Sequence, residues 1–79
     1  MEKRIEYCVD TAFYNRNNKT YVSNEDNEYF VDLESAKEYF ESLNIEKHES
    51  KTLWQFEIDQ DGDFDNFIEI ISKYGNKKG

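Results

Sequence analysis

Apolar and polar residues alternate with period two at the start of the chain. Ile5, Tyr7, Val9, Thr11 and Phe13 interleave with Glu6, Cys8, Asp10, Ala12 and Tyr14, which predicts a strand over about 3–14. Asn15-Arg16-Asn17-Asn18 interrupts the alternation. Asparagine tolerates left-handed backbone angles, so a hairpin turn is expected, with a second strand at about 19–23. Asn24-Glu25-Asp26-Asn27 is another turn cluster, and extended chain resumes at 28–31 as a third strand or after a wide bulge.

The period then changes. Asp32 is placed to cap a helix in which Leu33, Ala36, Tyr39, Phe40 and Leu43 share one face, while Glu34, Lys37, Glu38 and Glu41 lie mostly away from it. Asn44 is expected to end it, and 44–51 reads as a polar loop holding His48. Thr52, Trp54, Phe56 and Ile58 alternate with Leu53, Gln55 and Glu57. Apolar groups on both sides make this a central strand. After the Asp59-Gln60-Asp61-Gly62 turn, Asp63 is expected to cap a second helix. Phe64, Phe67, Ile68, Ile71 and Tyr74 would share its face, Lys73 would suit the negative end of its dipole, and Gly75 would end it. The expected order is β-β-(β)-α-β-α. This is a two-layer α+β fold, with a small antiparallel or mixed sheet of three to four strands and two helices on one face.

Composition adds constraints. At 79 residues the chain allows one domain, expected over 1–75, with 76–79 as a flexible basic tail. Cys8 is the sole cysteine, so no internal disulfide helps the core, and a reducing, cytoplasmic setting is expected. Thirteen rings, from six Phe, six Tyr and one Trp, must supply the buried area instead. No segment is apolar enough over a sufficient length to span a membrane. Cys8 and His48 are single and lie in different elements, and no glycine-rich phosphate loop is present. The expectation is therefore a protein that is not an enzyme and uses no cofactor.

The net charge of −8 is unevenly distributed. Residues 25–69 hold fifteen carboxylates against Lys37, Lys47 and Lys51, whereas the two ends of the chain are mildly basic. Such a field repels nucleic acid and membrane surfaces and attracts basic proteins. It reads in two ways, as solubilising surface charge or as a docking surface. Duplex DNA carries one negative charge per ~1.7 Å of axis, and a dense acidic stretch can imitate that field. The candidate partner-binding residues are Glu25, Asp26, Glu28, Tyr29, Glu34, Glu38, Glu41, Asp61, Asp63 and Asp65. The six tyrosines add to this reading, because each buried hydroxyl needs a partner and some rings should therefore be exposed.

Asp59, Asp61, Asp63 and Asp65 match the first four odd positions of an EF-hand calcium loop. Phe64 stands where that loop needs glycine, Ile70 where it needs glutamate, and a strand precedes it in place of a helix. A strand end, an Asp-Gly turn and a helix cap need the same residues, so the structural reading is favoured and a weak calcium site is the alternative. A homodimeric structural or interaction protein is a further alternative.

In length, acidity and richness in Asn, Glu and Tyr, the chain resembles small acidic phage-encoded anti-CRISPR and other anti-defence inhibitors. The segments carrying the likeness are Asn24-Glu25-Asp26-Asn27-Glu28-Tyr29 and Asp59-Gln60-Asp61-Gly62-Asp63. The resemblance is to a class and transfers no site residues. It implies a stoichiometric inhibitor, a nucleic-acid mimic that blocks a basic groove by protein–protein interaction.

Overall fold

The computed structural model describes residues 3–75; the tail expected at 76–79 lies outside the described residues. The elements are β1 (Arg4–Asn15), β2 (Thr20–Ser23), β3 (Glu28–Phe30), α1 (Leu33–Ser42), β4 (Glu49–Ile58) and β5 (Phe64–Tyr74). All strand pairs are antiparallel, and the sheet order is β2-β1-β4-β5. β3 pairs with Tyr7–Val9 and β2 with Ala12–Asn15, both along the β1 edge that β4 leaves free.

The first three strands form where the alternation predicts them. Asn15 organises the first turn: its side-chain oxygen accepts the Asn17 amide at 2.9 Å, and its carbonyl accepts the Lys19 amide at 2.7 Å. Lys19 takes the left-handed angle that closes the turn. Asp32 caps α1 as expected. Its carboxylate accepts the Ser35 amide at 3.0 Å, and that bond holds its pKa below the ordinary aspartate value. α1 ends at Ser42 with Leu43 as its cap, slightly before Asn44.

The second helix does not form, which corrects the expected architecture. Residues 64–74 are the edge strand β5, so the molecule has one helix on a five-stranded antiparallel sheet. The physical reason lies in the register. β5 carries an extra residue opposite Gln55/Glu57 and another opposite Leu53/Trp54. At each bulge the two-residue period stretches to three. Asp65, Ile68 and Ile71 therefore share one face of a strand, while Phe64 and Phe67 share the other. Spacings of three imitate the i, i+3 pattern of a helix. Asn66, at φ 53, supplies the left-handed residue at the first bulge. Asp63 caps nothing, and Gly75 follows a strand.

β4 also starts earlier than expected, at Glu49. Ser50 and Lys51 thus leave the predicted polar loop and become buried strand residues.

α1 covers one face of the sheet. Ala36 and Phe40 pack on Val9 and Leu53, with Tyr7, Leu33, Leu43 and Ile71 around them. Strand alternation turns Cys8, Trp54, Phe56 and Ile58 to the opposite face, where no helix lies.

Candidate functional site

The ten partner-binding candidates fall in three places. Glu34, Glu38 and Glu41 flank Lys37 on the exposed side of α1, around a shallow depression. Asp61 and Asp63 sit at the exposed β4–β5 turn, and Asp65 opens β5 opposite Glu57. Glu25, Asp26 and Glu28 occupy the β2–β3 connection and the start of β3, and Tyr29 stands on the uncovered sheet face. Asp26 has a structural task, since its two oxygens accept the Thr11 amide at 3.0 Å and the Thr11 hydroxyl at 2.5 Å.

In the β4–β5 turn, the carboxylates of Asp59, Asp61 and Asp63 come within 4.8 Å of one another, and Asp65 is not among them. Asp59 Oδ1 accepts the amides of Asp61 at 2.9 Å and Asp63 at 3.0 Å, and the Asp59 backbone bonds to both Gly62 and Asp63. These bonds make it the organiser of a hairpin turn, with Gly62 at φ +86. The flanking elements are strands on both sides, unlike an EF-hand.

Cys8 and His48 do not form a dyad. Cys8 pairs with Trp54, while His48 lies beyond the far end of the β1–β4 ladder, which closes at Phe13 and Glu49. Six strand steps separate them, roughly 20 Å. His48 is half-buried rather than solvated. Its carbonyl accepts the Tyr14 amide at 2.5 Å, and its Nδ1 has no hydrogen-bond partner among the described residues.

The richest chemistry lies on the uncovered face. Phe56 is fully buried there beneath exposed rings. Phe64 and Phe67 approach it at ring-centre distances of 4.7 and 5.2 Å, and Tyr29 meets it edge-on at 5.9 Å. Tyr29, Phe64 and Phe67 each keep about half of their surface in solvent, at 50%, 48% and 49%. Further along the same face, Tyr21 contacts Tyr14 at 5.3 Å and Tyr74 at 5.2 Å. The expectation of exposed tyrosines is met by Tyr29 and Tyr74.

Within this face the register builds a cleft. Cys8 in β1 is flanked by Tyr29 on β3 and Trp54 on β4. Adjacent strands lie ~4.8 Å apart, so the two ring-bearing positions stand roughly 10 Å apart across a small thiol. The cleft measures about 250 Å³ and is lined by Cys8, Asp10, Asn27, Tyr29, Trp54 and Phe67. Trp54 Nε1 donates to Asp10 Oδ1 at 3.3 Å. Burial raises the Asp10 pKa above the ordinary aspartate value; the Trp54 bond opposes the rise and nearby Asp26 adds to it. Among the described residues no lysine or arginine pairs with Asp10, and the ion pairs are Lys3–Glu57 and Arg4–Glu6.

Burial, with Asp10 beside it, pushes the Cys8 thiol up to about 11, so at neutral pH it is protonated. The folded value lies above the ordinary thiol value of 9.0, so folding favours the protonated form. That contribution is complete below pH 9 and is lost as pH rises toward 11. At about 1.4 kcal/mol per pK unit, alkaline melts should lose roughly 2 kcal/mol over this window, and Cys8→Ala should remove that part of the slope.

Asp10, Asn27, Trp54, Phe64 and Phe67 were not among the expected site residues. A signal was present, because β4 reads as apolar on both sides and a single layer of helices covers only one. Assigning Phe64 and Phe67 to a helix hid it. Among the described residues no helix is long and apolar enough to cross a membrane. No family model, curated protein or solved structure matches the chain.

Proposed function

We propose that the chain is a non-enzymatic binding protein that takes a basic protein partner on the uncovered aromatic face of its sheet. The observation supporting this reading is the exposed ring cluster of Tyr29, Phe64 and Phe67 over buried Phe56, beside a half-buried carboxylate that no cation pairs with among the described residues. Contiguous apolar surface of this kind marks interaction sites on small proteins. The rings supply contact area and orientation. The carboxylates of Glu34, Glu38, Glu41, Asp61, Asp63 and Asp65 supply long-range attraction, which sets the association rate more than the final affinity. In its most specific form the reading is a phage-type inhibitor that occupies a basic, nucleic-acid-binding groove.

Charge favours a basic partner over a second copy of the chain. Two molecules of net charge −8 repel, while a cationic surface is attracted. Light scattering should therefore show a monomer at tens of micromolar in physiological salt. A dimer that Phe67→Ala dissociates would replace this reading with self-association.

The partner is to be captured from bacterial lysate with wild-type bait, purified, and titrated against three baits. The Phe64→Ala/Phe67→Ala bait should bind at least tenfold more weakly. The Glu34→Lys/Glu38→Lys/Glu41→Lys bait should associate more slowly and lose most of its salt dependence. If the ring variant binds as tightly as wild type, the uncovered face is not the interface.

A further inference from the structure

We infer that the cleft between Tyr29, Trp54 and Phe67 is a receptor for one arginine side chain of that basic partner, with Asp10 as the counter-charge. The inference rests on the binding reading above and gives its site a specific ligand.

The register argument comes first. A small residue between two aromatic positions on neighbouring strands leaves a slot with ring walls and a narrow floor. Cys8, Tyr29 and Trp54 have that arrangement, and Phe67 extends the wall edge-on to Trp54 at 6.4 Å. Ring faces attract cations, and the attraction grows as water is removed. About 250 Å³ is room enough for a guanidinium head and part of its stem.

Asp10 then selects the charge. It lies on the same face as Cys8, two residues along β1, and lines the cleft. A carboxylate taken partly out of water normally has a compensating cation. Trp54 gives Asp10 one neutral hydrogen bond and fixes the indole against it, leaving the charge uncompensated among the described residues. An arriving cation regains the cost of that desolvation, which a neutral ligand cannot.

Guanidinium is favoured over ammonium for two reasons. It is planar and weakly hydrated, so it enters a half-dry slot between rings at lower cost. It also carries donors in a fork. Asn27 lines the same cleft, and its Nδ2 is engaged with the Tyr29 hydroxyl at 3.5 Å, which leaves the amide oxygen as a second acceptor beside Asp10.

Trp54 is the sole tryptophan, so its fluorescence reports directly on the cleft. The probes are capped pentapeptides, Gly-Gly-Xaa-Gly-Gly, with Xaa as arginine, citrulline, lysine or trimethyllysine. The arginine peptide should shift Trp54 emission saturably. Citrulline, which keeps the shape and loses the charge, should bind at least tenfold more weakly. Asp10→Asn should weaken the arginine peptide at least tenfold, whereas Glu46→Gln, which changes net charge equally but lies elsewhere, should leave it within twofold. Far-UV circular dichroism of Asp10→Asn should match wild type, because an asparagine oxygen can still accept the Trp54 bond. Equal binding of citrulline, or an unaffected Asp10→Asn, overturns the inference. Tighter binding of lysine or trimethyllysine overturns its guanidinium assignment. The two readings fail separately: if the peptides do not bind while Phe64→Ala/Phe67→Ala still loses the purified partner, the face stands as the interface and the arginine receptor falls.

Discussion

Lys51→Met is expected to lower unfolding free energy by about 2–3 kcal/mol and to fray the last turn of α1. Lys51 is only 6% exposed, which is rare for a lysine. Its Nζ donates to the carbonyls of Phe40 and, at 2.7 Å, Leu43, and it lies 4.6 Å from the Phe40 ring centre. The last carbonyls of a helix have no partner within it and carry the negative end of its dipole. α1 has no basic residue in its own last turn, so a strand residue from below does the work of a cap. Two effects compete on substitution. Burial lowers the Lys51 pKa, with Lys73 adding to the shift and Glu41 opposing it, so removing the ammonium relieves a desolvation cost. Yet methionine leaves the Leu43 carbonyl without a donor and the Phe40 carbonyl with only the long bond from the Leu43 amide at 3.4 Å, and each hydrogen bond to a charged group contributes about 1.5–3 kcal/mol. The second effect should win because two charge-assisted hydrogen bonds are lost and one charge is relieved. Urea denaturation followed by far-UV circular dichroism measures it. A loss below ~0.5 kcal/mol would mean that water reaches those carbonyls and that the lysine is incidental to the helix.

The elements visible in the sequence were those held by local chemistry. β1 follows from uninterrupted alternation, and α1 from Asp32 together with a clean helical stripe. β5 depends on a non-local cause. An apolar segment beside the free edge of β4 completes a ladder, and its two bulges erase the alternation that would have identified it. Lys51 shows the same limit, since a lysine next to Thr52 looks solvated until a helix terminus is set above it. The acidic candidates were identified from charge alone, which locates residues along the chain but not on faces. The aromatic cleft needs three strands in register, Tyr29 beside Cys8 beside Trp54, and none of those pairings is local.

Phe56→Ala should cost about 3–4 kcal/mol even though it points to the face that no helix covers. Its ring has no exposed surface and lies against Phe64, Phe67 and Tyr29. Truncation removes most of a buried aromatic side chain and opens a cavity under rings that cannot fully collapse into it. Phe67→Ala removes a ring of the same size, but one with 49% of its surface already in water. Its cost should be about 1 kcal/mol or less, because the lost contacts are partly replaced by hydration. The contrast bears on function more than either value does. A face built only to bury Phe56 would make the outer rings nearly as important for stability as the inner one, and Phe67→Ala would then approach the Phe56→Ala value. A face built to receive a partner keeps its outer rings energetically idle in the free protein, so that their contribution appears only on binding. Thermal and urea denaturation of the two variants side by side separates these cases. A difference of less than ~1 kcal/mol between them would assign Phe64, Phe67 and Tyr29 to the core and leave the sheet face without a surplus of apolar surface to offer.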